Sequence, residues 1–96
     1  MTYTLAFTER AAVDIINAFE WYETQRSGLG DEFRDALDRT FDLVRQMPET
    51  GPVVHAGLRR LLLKRFPFAI YYRLDAEIVV IHGCLHQRRD PLTWPR

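Results

Sequence analysis

The 96-residue sequence predicts an α+β domain in which a helical hairpin covers one face of a mostly antiparallel sheet, and three observations carry that prediction. Residues 3–7 alternate at period two. Two apolar stripes with spacings of three and four follow, separated by Ser27-Gly28-Leu29-Gly30. After Gly57 the period returns to two for three successive runs. The expected order is strand, two helices, then a three-stranded antiparallel meander, all within one two-layer domain spanning 1–96. A chain of this size buries about 60–70% of its unfolded surface, enough for one such core and too little for a doubly wound nucleotide-binding sheet or a barrel.

Each element follows from local chemistry. Tyr3, Leu5 and Phe7 share one face of the first strand. Thr8 offers an N-cap and Glu9 suits the positive first turn of a helix, along which Ala12, Ile15, Ile16, Phe19 and Tyr22 recur as far as about Arg26. Gly28 suits the left-handed residue that ends a helix, and Ser27 or Asp31 is expected to cap the next one. Phe33, Leu37, Thr40, Phe41, Val44 and Met47 then form a second stripe, with Asp31, Glu32, Asp35, Asp38 and Asp42 largely off it, until Pro48 stops the pattern. Residues 48–57 hold two Pro and two Gly and read as a loop. Strands are expected at Leu58–Arg65, Phe68–Leu74 and Glu77–Leu85, joined by Phe66-Pro67 and Asp75-Ala76 as hairpin turns. Pro67 has no N–H for a ladder and belongs in the turn or at a bulge. The tail, residues 86–96, is expected to be irregular.

Met1–Phe7 lacks the basic run and long apolar stretch of a signal peptide, and the longest nearly apolar segment, Ile78–Leu85, is far short of the ~20 residues that span a bilayer. One cysteine, Cys84, allows no internal disulfide. A cytoplasmic protein with no membrane partner is therefore expected.

The 13 Lys and Arg balance 13 Asp and Glu, which excludes a generally polycationic nucleic-acid coater. Position changes the picture. Residues 1–50 hold five Arg against ten acids, a net of −5, and residues 51–96 hold eight Lys and Arg against three acids, a net of +5. Helices are acidic and the sheet basic. Arg59, Arg60, Lys64, Arg65 and Arg73 fall on the central hairpin, with Arg88 and Arg89 just past the last strand. Strands ~4.8 Å apart would gather them within a Debye length, as one face for a phosphate backbone or an acidic peptide. Without such a partner, the same residues would simply solvate the sheet and discourage edge pairing.

Two stretches carry a resemblance. Phe19-Glu20-Trp21-Tyr22-Glu23-Thr24-Gln25-Arg26-Ser27-Gly28-Leu29-Gly30-Asp31-Glu32-Phe33 resembles the interhelical turn of the RelE/ParE toxin superfamily. Leu58-Arg59-Arg60, the run from Lys64-Arg65-Phe66-Pro67-Phe68 to Tyr71-Tyr72-Arg73, and Leu85-His86-Gln87-Arg88-Arg89-Asp90-Pro91 resemble its sheet core. The likeness covers roughly Tyr3 to Trp94 and matches the element order derived above. It implies a toxin of a bacterial type II toxin–antitoxin (plasmid stabilisation) system, neutralised by a cognate antitoxin in a homo- or hetero-oligomer, with no cofactor and no metal. Two targets are known in the superfamily: messenger RNA on the ribosome, which RelE-like toxins cleave, and DNA gyrase, which ParE-like toxins poison. A third possibility is a member that binds its partner and is not toxic.

An endonuclease needs a base for the ribose 2′-hydroxyl, cations for the charge developing on phosphorus and an acid for the leaving oxygen. Under that reading Lys64, Arg65, Arg73 and Arg88 supply cations and His86 transfers protons. The pattern departs from family nucleases in two ways: the second strand of the chain, expected at Leu58–Arg65, offers no carboxylate base, and Gln87 follows His86 where a tyrosine would hold a stacked base. The ending His86-Gln87-Arg88-Arg89-Asp90-Pro91 is similar to ParE, which favours gyrase and makes the protein an inhibitor rather than an enzyme. Target or antitoxin binding is assigned to Arg59, Arg60, Lys64, Arg65, Arg73, Arg88, Arg89 and Trp94.

His82, Cys84 and His86 share parity on the predicted strand, yet residues two apart are ~6.6–7 Å apart, too far for three to close on one tetrahedral ion. Cys84 is expected to be a small buried hydrophobe and His82 a satisfied sheet residue. His55 carries no partner signal. Trp21 and Trp94 are each expected to be core rim or partner contact, and Asp90 to set the turn before Pro91.

Overall fold

The structure is a computed structural model that describes residues 2–95. Its elements are β1 (Thr4–Phe7), α1 (Glu9–Gln25), α2 (Leu29–Gln46), β2 (Val53–His55), β3 (Leu58–Leu62), β4 (Phe68–Asp75), β5 (Ile78–His86) and a 3-10 turn at Pro91–Thr93. One sheet has the order β1-β5-β4-β3-β2. β1 runs parallel to β5 across the helical hairpin, and the other four strands form an antiparallel meander.

Thr8 caps α1, its hydroxyl accepting from the Ala11 N–H at 3.1 Å. The entry to α2 differs from expectation: neither Ser27 nor Asp31 caps it. Gly28 takes φ 90° as its N-cap residue and has no side chain to offer. Glu23 reaches over from the last turns of α1, its carboxylate accepting from the Gly28 N–H at 3.1 Å and the Gly30 N–H at 2.9 Å. The connection is so short that one carboxylate meets two of the N–H groups left open at the start of the second helix. The same closeness demands glycine at position 30, where a Cβ would lie 2.8 Å from Glu23 Oε1 and 3.0 Å from the Phe19 carbonyl oxygen. Glu23→Ala is therefore expected to cost about 1–2 kcal/mol of stability, the upper range for a helix cap, measurable by urea unfolding. A change below about 0.3 kcal/mol would contradict this account of the turn.

Between helices and sheet lies the main core, centred on an aromatic cluster. Tyr22 and Phe33 stack at 5.2 Å, and Phe66 meets them edge-on at 4.9 and 5.5 Å. Phe68 closes the group from β4, 5.5 Å from Phe33. Such edge-to-face pairs add about 0.5–1.5 kcal/mol each to the area they bury. The opposite face of the sheet has its own small cluster of Leu58, Ala69, Tyr71 and Leu85, covered by Trp94.

The strands differ from the sequence reading at several points. β3 stops at Leu62 rather than Arg65, because the Leu63 N–H closes the hairpin on the Phe68 carbonyl and Arg65 turns the chain at φ 72°. Pro67, in that turn as expected, leaves the ladder no donor there. Within the expected loop at 48–57, Val53–His55 pairs with β3 as a short edge strand. Tyr72, fully buried, fixes the start of that loop: its hydroxyl accepts from the Gly51 N–H at 3.0 Å and donates to the Pro48 carbonyl at 2.8 Å. The tail is not wholly irregular, since β5 runs on to His86 and Pro91–Thr93 forms a 3-10 turn.

The β4–β5 ladder slips by one residue: Tyr71 faces Gly83 whereas Tyr72 faces Ile81, so His82 is the extra residue of a bulge. Ile81 and Cys84, three apart, both enter the helix-facing core. The shared parity expected for His82, Cys84 and His86 is therefore broken. Among the described residues, no helix is long and apolar enough to cross a membrane.

Candidate functional site

Sequence reasoning gathered seven cations into one patch, and the structure disperses them. Arg59 turns to the loop after α2, donating to the Gly51 carbonyl at 2.8 Å and the Glu49 carbonyl at 3.2 Å. Arg65 pairs with Glu32 of α2 at 3.1 Å, and Arg26 shares that carboxylate at 3.0 Å. Hydrogen bonds from these two guanidinium groups hold the Glu32 carboxyl below its ordinary range. Arg73 donates to the Ala56 carbonyl at 3.3 Å. Lys64 stands exposed at the end of β3, beside α2.

Arg60 is a strut. Its guanidinium lies 5.8 Å above the Tyr71 ring and 5.7 Å above that of Trp94, donating to the Tyr71 hydroxyl at 3.0 Å and the Gln87 carbonyl at 2.8 Å. Trp94 accordingly packs back on the sheet, 5.3 Å from Tyr71. The tail is also tied to α1, where Arg10 donates to the Thr93 carbonyl at 2.6 Å. Asp90 caps the 3-10 turn, accepting from the Leu92 N–H at 2.9 Å.

What remains is the turn that Arg60 holds from beneath. His86 Nδ1 accepts from the Arg88 N–H at 3.1 Å, and the His86 carbonyl accepts from the Arg89 N–H at 2.9 Å. The Gln87 N–H bonds the Pro67 carbonyl at 2.8 Å, fastening this turn to the one between β3 and β4. Arg88 and Arg89 are exposed, and among the described residues their guanidinium groups have no ion pair or hydrogen bond. The His86 ring stands edge-on to Phe68 at 5.6 Å, and beside it a shallow hollow of about 190 Å³ is bordered by Trp21, Asn17, Asp14 and Arg89. Trp21, 56% exposed, touches Tyr22 at 5.1 Å and leaves most of its indole to solvent. Sequence reasoning missed Asp14, whose carboxylate pairs with Arg10 and accepts from the Cys84 N–H at 3.1 Å. Its one available signal was a charge on the α1 face that carries Ala11, Ala18 and Tyr22.

Of the residues named for RNA cleavage, Arg73 stands apart from His86. His86 lies opposite Phe68, and Arg73 stands five residues further along β4, so their backbones are ~17 Å apart. Arg73 is turned instead to the Ala56 carbonyl, beside the β2–β3 turn. Cys84 offers no nucleophile: burial first, then the neighbouring Asp14 charge, push its thiol up to about 12. His82 is held below its ordinary value by burial and by Arg73. Among the described residues, no three His, Cys, Asp or Glu side chains stand close enough to hold a metal ion.

Burial raises Tyr22 and Tyr72 as well as Cys84, so all three keep their protons in the native state at pH values where the unfolded chain releases them. The unfolded state then binds fewer protons, and stability falls as pH rises above the ordinary thiol value of 9.0. Thermal unfolding between about pH 8 and 11 should show a falling midpoint, and native Cys84 should resist iodoacetamide at pH 8 until the protein is unfolded. Rapid alkylation of the folded protein would contradict the burial assigned to it.

Solved structures from toxin–antitoxin systems share this fold. A chain of the chromosomal ParDE system from P. aeruginosa superposes with a TM-score of 0.77 at 20% identity, covering 88% of this chain and 96% of that one. The RelBE2 toxin–antitoxin complex from Mycobacterium tuberculosis gives 0.61 at 21% identity, covering 90% and 99%. The intact RelBE complex from E. coli gives 0.54 at 16%, covering 91% and 99%. At these identities the likeness concerns the fold. Among curated proteins, no sequence matches significantly. The profile of the family described as the ParE toxin of the type II toxin–antitoxin system parDE matches residues 5–91, nearly the whole chain, and this protein therefore belongs to the ParE toxin family.

Proposed function

We propose that this type II toxin acts by inhibiting DNA gyrase, that a cognate antitoxin neutralises it, and that the His86–Arg89 turn makes the decisive contact with the target. The single observation that carries the reading is the fate of the cations. Arg59, Arg60, Arg65 and Arg73 are spent on internal acceptors, whereas Arg88 and Arg89 stand free on a turn braced by Arg60. Guanidinium groups on a fixed turn suit recognition of a partner's carboxylates or phosphates. The ~17 Å between Arg73 and His86 gives no support to RNA cleavage through that pair.

Induction in a bacterial host, with and without the adjacent reading frame, tests the proposal. Expected are growth arrest relieved by the neighbour, together with a DNA-damage response and continued protein synthesis in the first minutes. Immediate translation arrest with cleaved transcripts would replace gyrase by messenger RNA as the target. Harmless expression would identify a binding-only member.

A further inference from the structure

The hollow beside His86 is bordered by separate elements. Asp14, Asn17 and Trp21 come from α1, Phe68 from β4, and His86 and Arg89 from the end of β5 and the turn beyond it. Its volume of about 190 Å³ lies below the ~300 Å³ at which pockets begin to enclose a whole small molecule, so it suits one ring-sized group of something larger. Aromatic groups stand on two sides. Trp21 is 56% exposed, and the His86 ring is fixed by the Arg88 N–H on its Nδ1 and by the edge of Phe68. An indole left open to water gains contact when a flat ring stacks on it.

The charged groups of the hollow are opposite in sign and unpaired with each other. Asp14 Oδ2 accepts from the Cys84 N–H at 3.1 Å and lies 3.6 Å from Arg10 Nε, which leaves Oδ1 without a partner among the described residues. Arg89 is exposed and has no ion pair among the described residues, although it borders the same hollow. A carboxylate accepts N–H groups, and a guanidinium fork donates to two neighbouring acceptors. Guanine carries both sets, N1–H and N2–H on one side of the ring system and O6 and N7 on the other. An acidic peptide would instead meet Asp14 with like charge.

The geometry points to a site for one unpaired guanine of single-stranded DNA, stacked on Trp21, with its N–H groups on Asp14, its O6 and N7 on Arg89 and the adjoining phosphate on Arg88. This rests on the reading that the His86–Arg89 turn meets the target, and adds that the target surface includes a strand of DNA opened by gyrase. Asp14, Trp21 and Arg89 then set specificity, and Arg88 supplies the part of the affinity that salt weakens.

The test uses the purified protein without gyrase and short fluorescein-labelled strands read by anisotropy: thymine only, the same with one central guanine or adenine, the guanine strand paired to its complement, and the guanine strand as RNA. The single-guanine DNA should bind about tenfold or more tightly than the thymine, adenine and duplex forms. Trp21→Ala should weaken it by about tenfold or more, with the fold intact. Asp14→Asn should lose the guanine preference and keep the affinity for thymine strands, which unfolding would not do. Equal affinity for all strands, unmoved by Trp21→Ala, would overturn the base site and leave the gyrase reading standing. A tenfold preference for RNA would overturn the DNA assignment, and competition by guanosine monophosphate as strong as by the strand would assign the hollow to a free nucleotide. Binding to no strand, with Trp21→Ala still weakening the complex with gyrase, would overturn the base in favour of a protein side chain. Guanine-selective binding with gyrase unaffected would keep the base site and overturn its link to gyrase.

Discussion

Phe33→Ala is expected to remove about 3–5 kcal/mol of stability, the range for emptying a fully buried aromatic site. Phe33 is fully buried on α2 and touches the rings of Tyr22, Phe66 and Phe68, so its loss leaves a cavity bordered by α1, α2 and the turn into β4. Those elements cannot collapse together, because the short Gly28 connection and the Pro67 turn fix their spacing. A domain of this length has roughly 5–14 kcal/mol in total, so much of the variant should be unfolded at 37 °C. Trp21→Ala, one position before Tyr22 on the exposed side, should cost less than about 1 kcal/mol. Guanidinium unfolding of the two variants checks the pair, and near-equal losses would show that the aromatic cluster is not the centre of the core.

The double reversal Arg88→Glu, Arg89→Glu is expected to abolish growth inhibition while leaving stability within about 0.5 kcal/mol. Both side chains are exposed, and neither holds any described part of the fold, unlike Arg60, whose removal would release the Gln87 carbonyl and loosen the whole turn. Like-charge contact with an acidic target surface costs several kcal/mol, which converts to a loss of at least about 100-fold in affinity. Arg73→Ala should remain toxic, since Arg73 only donates to the Ala56 carbonyl at the far end of the β4–β5 hairpin. Growth curves under graded induction compare the variants. Full toxicity of the double reversal would remove the turn from the target contact.

The helical layer was legible because its signals are local. Stripes at helical spacing placed both helices, Thr8 placed the first cap, and Gly28 placed the break. The cap of α2 was not legible, because Glu23 serves it from the preceding helix across a turn whose closeness no propensity encodes. β2 escaped notice because three residues between prolines and glycines carry no period, and it forms only against β3. The candidate site was legible in identity and not in arrangement. The seven cations singled out all lie in the basic half of the chain, yet proximity along the chain says nothing about which acceptors each side chain finds. Arg59 finds carbonyls of a loop, and Arg65 finds a carboxylate on α2. The bulge at His82 had the same effect on the histidines, since one extra residue reverses the face of everything beyond it. The sheet is therefore less a uniform cationic face than a scaffold that leaves two arginines at one corner.

The most direct measurement incubates the purified protein with DNA gyrase and supercoiled plasmid, and in parallel with translating ribosomes and messenger RNA. The account predicts gyrase-dependent DNA cleavage or loss of supercoiling, suppressed by the antitoxin and by Arg88→Glu, Arg89→Glu, with transcripts intact. Ribosome-dependent cleavage of the message, lost in His86→Ala and Arg73→Ala with gyrase unaffected, would contradict it.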